Sequence, residues 1–265
     1  MSATDVGPSV VHVSLGTAGV LGLAAPTTAY LMIGGKCAYD CAFCAQARSS
    51  TAGADRLSRV SWPEFALEAV LPSLAAAYAA GALQRCCLQV TSGPELGQVR
   101  ELVRRIRLAA PIPLCVSIRV PDLAHLEALL DLGAERVTLA ADAVCERVYA
   151  RTKGRDWPRM IELLEGAARR YPGRVGTHVI VGLGETEAEM TAFLQHMHDL
   201  AVTVGLFAFT PVPGTALAGD APPPLAAYRR VQAALHLIRG GHARAEQFRY
   251  TTEGRIAGYG LAPEA

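Results

Sequence analysis

Cys37, Cys41 and Cys44 stand as Cys-Ala-Tyr-Asp-Cys-Ala-Phe-Cys directly after the apolar, strand-like run 28–33. This Cys-x3-Cys-x2-Cys spacing constrains the fold more than any other feature, because it calls for a strand ending in a loop that presents three thiolates to one small body. A structural zinc site would use four ligands. A four-iron cluster held by three cysteines keeps one iron without a protein ligand, so a small molecule can bind there and receive an electron. The competing readings are a zinc knuckle, a redox pair with a bystander, or small buried apolar residues.

With 265 residues and 51% apolar side chains, the chain is long enough for one large α/β domain, expected over 1–265 with its core at about 27–255. A formal net charge of +1 gives no electrostatic basis for a nucleic-acid partner or an acidic membrane surface. Seven cysteines, three of them in one loop, read as metal ligands in a reducing compartment rather than as a disulfide framework. Residues 6–35 carry no Lys, Arg, Asp or Glu, but Gly, Thr, Ser and Pro26 interrupt them, and no basic residue precedes them. They read as neither membrane span nor signal peptide, and the expected location is cytoplasmic.

Short apolar strands alternate with amphipathic helical segments. Strands are expected at 28–33, 85–90, 113–120, 136–141, 177–181 and 204–210, with another near 246–251. Ser61-Trp62-Pro63-Glu64 fits a capping box opening a helix to about Ala80, with Pro72 as an interruption. Pro222-Pro223-Pro224 reads as a surface linker before a helix from Leu225. Repeated strand-helix alternation implies a parallel sheet with right-handed crossovers, here a TIM-like (β/α) barrel, complete or partial, of six to eight strands. Its site lies where strands end, and the cysteine loop follows the first of them.

The cysteine spacing, with Phe43 directly before the third cysteine, resembles the cluster loop of the radical S-adenosylmethionine superfamily. Gln46-Ala47-Arg48-Ser49-Ser50 and segments further on are similar to its biotin-synthase-like branch, over roughly residues 27–255. The resemblance implies a 4Fe-4S cluster on Cys37, Cys41 and Cys44 whose open iron chelates S-adenosyl-L-methionine. Reductive cleavage then yields a 5'-deoxyadenosyl radical. It also implies an electron donor such as ferredoxin or flavodoxin.

Further positions carry over from the same resemblance. Asp142, ending Leu139-Ala140-Ala141-Asp142, matches the carboxylate that accepts from the ribose hydroxyls; a helix-capping Asp is the alternative. His178 to Thr186 resembles the Gly-x-Ile-x-Gly-x-x-Glu segment near the adenine, with Ile180 and Gly182 in place and His178 where the family has glycine. That histidine either packs in the barrel or adds a polar group. Gln89, Thr91 and Ser92, ending the second strand, are placed to bind the methionine amino group. Gly34 and Gly35 allow a tight strand exit, with Lys36 beside the cluster.

Cys86, Cys87, Cys115 and Cys145 remain. Strand alternation sets Cys115 with Ser117 and Arg119, and Cys87 with Gln89 and Thr91. Matching to biotin synthase points instead to Cys86. A slip of one residue reverses every side chain, so Cys87 is preferred and Cys86 kept as a candidate. Biotin synthases hold an auxiliary iron-sulfur cluster on three strand cysteines and an arginine and consume it as sulfur donor. Here the third cysteine position falls near Gly176, which leaves Cys145 as a substitute and Arg249 or Arg255 as the arginine.

The asparagines that hold the ureido ring of dethiobiotin in biotin synthase are replaced here by Thr138-Leu139-Ala140 and Phe207-Ala208-Phe209. A ureido group buried there would lose hydrogen bonds at roughly 1–3 kcal/mol each. Ala140, Phe207 and Phe209 suit a saturated acyl chain, and the chain resembles a subunit of the two-subunit lipoyl synthases. The implied activity is sulfur insertion into an octanoyl chain on a lipoyl domain or carrier protein, with a second radical SAM subunit as partner. Biotin synthase, a related radical enzyme without sulfur insertion, and a non-catalytic iron-sulfur or zinc scaffold are the alternatives.

Overall fold

Apolar strands of three to seven residues separated by amphipathic helices bury both faces of a parallel sheet, and this pattern organises the described residues, 10–14, 26–91 and 93–261, of the computed structural model. They fall into two compact units. The first takes in the described residues up to Asp40, with Cys44–Leu139 and Val212–Ala216; the second takes in Cys41–Phe43, Ala140–Pro211 and the described residues from Leu217 on.

The first unit contains β1 (Val10–Ser14), β2 (Thr28–Ile33), β3 (Arg56–Leu57), β4 (Val60–Ser61), β5 (Glu64–Ala66), α1 (Leu67–Ala79), β6 (Arg85–Val90), α2 (Leu96–Ala109), β7 (Leu114–Ser117), α3 (Leu123–Asp131) and β8 (Arg136–Thr138). Its sheet runs β8-β7-β6-β2-β1-β5. The neighbours from β2 to β8 are parallel, and β1 and β5 extend the edge antiparallel. Helix α2 buries Val99, Leu102, Val103 and Ile106, each contributing about 1.5–3 kcal/mol of gross burial free energy.

The second unit contains α4 (Glu146–Thr152), α5 (Trp157–Arg170), β9 (Val175–Val181), α6 (Glu187–Asp199), β10 (Thr203–Ala208), α7 (Leu225–Arg239), a 3-10 turn at Ala245–Gln247, β11 (Arg249–Tyr250) and β12 (Ile256–Gly258). Strands β9 and β10 pair in parallel. Helix α6 opens on a true capping box, Thr186 with Glu189, and α7 follows the triple proline as expected.

Six parallel strands, β2, β6, β7, β8, β9 and β10, give the fold class: α/β with TIM-like strand-helix alternation, at the low end of the expected strand number. Three local expectations need correction. Glu64 does not close a capping box, because 64–66 form β5 against β1 and α1 begins only at Leu67, with no side-chain cap. Pro72 sits inside α1 without ending it. The strand expected at 246–251 is a 3-10 turn followed by β11, which pairs antiparallel with β12 as a hairpin.

Candidate active site

The chain leaves β2 through Gly34, whose φ of +93° and lack of Cβ are both required: a side chain there would overlap the Thr91 hydroxyl. Main-chain bonds then shape the cysteine loop, Cys37 N donating to Gln46 O at 2.7 Å and Arg48 N to Tyr39 O at 2.9 Å. Lys36 Nζ donates to the carbonyls of Ala45 at 2.8 Å and Ala52 at 2.7 Å. Tyr39 N donates to Cys37 Sγ at 3.4 Å. The Arg119 guanidinium stacks 3.9 Å from the Tyr39 ring centre; sequence alternation had paired Arg119 with Cys115 and Ser117.

Cys37, Cys41 and Cys44 are half-buried and form no disulfide. Cys41, Ala42 and Phe43 belong with the second unit, where Ala42 N donates to Thr152 O and Leu217 N to Ala42 O. Among the described residues no three His, Cys, Asp or Glu side chains converge as a single ion requires. Three thiols spaced along one loop, with an N–H directed at one sulfur, are a donor set that fits an iron-sulfur cluster.

Within the first unit, strand register sets Tyr30 beside Cys87, Cys87 beside Cys115, and Cys115 beside Arg136. Four consecutive parallel strands thus carry one lateral row, Tyr-Cys-Cys-Arg. The row above it is Met32, Gln89, Ser117 and Thr138. Cys86 points to the opposite face of β6, fully buried with Leu88, so the structure groups Cys87, not Cys86, with Cys115. The hydrogen bond from Cys87 holds the Cys115 thiol down at about 7 against its burial, helped by the Thr138 hydroxyl 3.2 Å away and by Arg136 and Arg85. Cys87 keeps its proton: that same bond and burial raise it. Burial and the Cys115 charge push Cys86 up to about 12. Arg136 Nε is buried without a hydrogen-bond partner among the described residues, an orphan donor beside an ionisable thiol.

Gln89 Nε2 approaches Cys87 Sγ at 3.6 Å. Thr91 spends its hydroxyl on Ile33 O at 3.2 Å, leaving its carbonyl, which accepts from Gly93 N, as the group with spare capacity. Ser92 lies outside the described residues.

In the second unit, Asp142 adopts a left-handed φ of 60°. Its N–H donates to His178 O at 2.7 Å and its carbonyl accepts from Ile180 N at 2.8 Å. Its carboxylate is paired with Lys153, Nζ to Oδ2 at 2.7 Å, with the two side chains only 15% and 7% exposed. Lys153 also donates to Ala140 O at 2.6 Å. Burial alone would lower the Lys153 ammonium, but Asp142, Cys41 and the hydrogen bond to Asp142 outweigh it and raise it. His178 is held below the usual histidine value by burial and by Lys153, against the pull of Asp142.

Gly182 turns the strand end at φ +100°, with Pro223 where a Cβ would be. Its N–H and that of Leu183 donate to Glu185 at 2.7 and 3.0 Å, although burial still raises that carboxyl. Phe207 is half exposed and meets the His178 ring edge-on at 5.2 Å, while Phe209 is buried. Cys145 is half-buried at the start of α4, near Glu189 and Arg147. Arg249 is exposed on the hairpin beside Gly258, and Arg255 is exposed too. In the first unit the arginine in the same lateral row as the thiol pair is Arg136, with Arg85 also acting on both thiols. Sequence reasoning missed Arg136 and Lys153. The first was legible from the alternation that ties it to Thr138; the second carried no signal.

The Radical SAM superfamily pattern matches residues 31–197. A biotin synthase of Salinibacter ruber is 26% identical over 172 residues, covering 63% of this chain and 46% of its own. A biotin synthase of Synechococcus sp. is 28% identical over 210 residues, covering 72% and 61%. The chain spans about half the length of such relatives. Among solved structures, the FeFe-hydrogenase maturase HydG from Carboxydothermus hydrogenoformans superposes with a TM-score of 0.62 at 18% identity, over 81% of this chain and 52% of its own. Methylornithine synthase (PylB) gives 0.63 at 16% identity, over 80% and 62%. These two share the fold.

Proposed function

Since the chain belongs to the Radical SAM superfamily and is related to biotin synthases at low identity, we propose that it is a radical S-adenosylmethionine sulfurtransferase acting on a saturated acyl chain, of the lipoyl-synthase type. When bound at Cys37, Cys41 and Cys44, a 4Fe-4S cluster with S-adenosylmethionine supplies an electron and a 5'-deoxyadenosyl radical for hydrogen abstraction. The chain's own residues bind and orient. Asp142 offers its carboxylate to the ribose hydroxyls, and the carbonyls at the end of β6 accept from the methionine ammonium. Phe207 and Phe209 offer apolar surface to an acyl chain, with no side-chain amide on β8 or β10 for a ureido ring.

The observation that carries the sulfur-insertion reading is the Cys87-Cys115 pair, in register and on one face of adjacent strands, with Arg136 beside it. These residues would hold an auxiliary iron-sulfur cluster as the sulfur source. The relatives favour a second reading, dethiobiotin as substrate. A cytoplasmic setting, an octanoylated lipoyl domain or carrier protein, a second radical SAM subunit and a ferredoxin or flavodoxin donor belong to the proposal.

The test is anaerobic reconstitution with iron and sulfide counted in wild type, in the Cys37→Ala/Cys41→Ala/Cys44→Ala variant, and in that variant with Cys87→Ala and Cys115→Ala added. Iron and sulfide retained in the triple variant and lost in the quintuple one support sulfur insertion. Octanoylated carrier is then assayed against dethiobiotin. A triple variant devoid of iron leaves a single-cluster enzyme and removes the sulfurtransferase assignment.

A further inference from the structure

We propose that Lys153 is a positioning residue: it fixes the Asp142 carboxylate so that one oxygen stays free for the ribose diol of the bound nucleoside. The inference rests on the reading of Asp142 as the ribose acceptor and adds a residue to it. Asp142's backbone is locked on both sides, by His178 O and by Ile180 N. Its side chain is held by Lys153 alone among the described residues, through Oδ2 at 2.7 Å. Oδ1 is left with no hydrogen-bond partner among those residues and is not sealed from solvent. An ionised carboxylate oxygen accepts more than one hydrogen bond, and two adjacent hydroxyls are the donors that use this capacity.

Lys153 itself has little left to offer a ligand. Its ammonium gives one bond to Asp142 and one to Ala140 O at 2.6 Å, and the Tyr149 ring lies 5.6 Å away. Its side chain is 7% exposed. A buried carboxylate that loses its counter-charge takes up a proton or swings out, and either change spoils it as an acceptor. Lys153 therefore acts through Asp142.

The experiment compares equilibrium binding of S-adenosylmethionine and of its 2',3'-dideoxyribose analogue to the reconstituted protein, in wild type and in the Lys153→Met, Lys153→Gln, Lys153→Arg and Asp142→Asn variants. Melting curves identify any variant that does not fold, and Lys153→Gln replaces Lys153→Met if that one fails. Wild type should prefer the natural ribose by about 10- to 100-fold, the range expected for hydrogen bonds to a charged group. That preference should collapse to about 2-fold or less in Lys153→Met and Asp142→Asn and survive in Lys153→Arg. If Lys153→Met weakens both ligands equally and keeps the ratio while Asp142→Asn loses it, Lys153 does not position Asp142 and the proposal falls alone. If Asp142→Asn keeps the ratio, the ribose reading itself falls, and the proposal with it.

Discussion

His178 occupies a position on β9 that its neighbours were shaped around. A Cβ on Gly205, across the strand pair, would come 2.9 Å from the imidazole, so the ring fits only because β10 carries glycine there. The ring packs edge-on against Phe207, with Asp142 and Lys153 as the charges that act on it. Burial and the ammonium together favour the neutral form. Because its folded pKa lies below the unfolded one, the unfolded chain takes the proton first as pH falls. Stability is unaffected above the usual histidine range and declines as pH drops through it toward the lower folded value. Denaturant midpoints measured from about pH 7.5 to 5 should fall more steeply for wild type than for His178→Gln. Parallel pH curves for the two proteins would contradict this.

At the scale of elements, parallel register organises the site. Each residue of β2 faces one of β6, residues 86–89 of β6 face β7 and residues 115–117 of β7 face β8, so a two-residue sequence period becomes a row across four strands. This is why the thiol pair could be read from alternation alone, whereas matching to a relative pointed to Cys86, one residue away. Propensity arguments failed where tertiary pairing took over: 64–66 look like a helix start but are recruited as an edge strand by β1. Pro72 is the opposite case, a helix breaker kept inside α1 because Leu67, Leu71 and Leu74 are buried on the same helix. Its exposed ring takes part in no core packing, and it withholds the N–H that would bond the carbonyl of Glu68. Pro72→Ala should therefore stabilise the protein by about 1–3 kcal/mol in denaturant titrations. A loss of stability would mean that the proline sets the helix geometry.

For the molecule as a whole, the readable features were those with a sequence period or a fixed spacing. The cysteine loop, the strand-helix alternation and the six parallel strands are of that kind, and six of the seven expected strands overlap observed ones to within a few residues. Arg136 was legible from strand alternation but overlooked, and Lys153 was not readable, since which charged side chain ends up buried beside a carboxylate depends on tertiary packing rather than on a sequence period. The same contrast predicts how the fold depends on its cluster. Apolar strands and helices of each unit form the core, with Leu31, Leu88, Val116 and Val137 buried in one and Val179, Met190, Leu194 and Leu235 in the other. The three cysteines stay half-exposed on a loop closed by its own main-chain bonds. A zinc finger, by contrast, has no such core and unfolds without metal. Removing iron with a chelator under argon should therefore abolish S-adenosylmethionine cleavage and the visible absorbance while leaving the far-ultraviolet circular dichroism unchanged. The Cys37→Ala/Cys41→Ala/Cys44→Ala variant, stripped of iron in the same way, should match the stripped wild type in melting temperature, since both then lack the stabilisation that binding adds to an already folded chain. Loss of helical signal on chelation would make the cluster a structural element and place the loop inside the folding core.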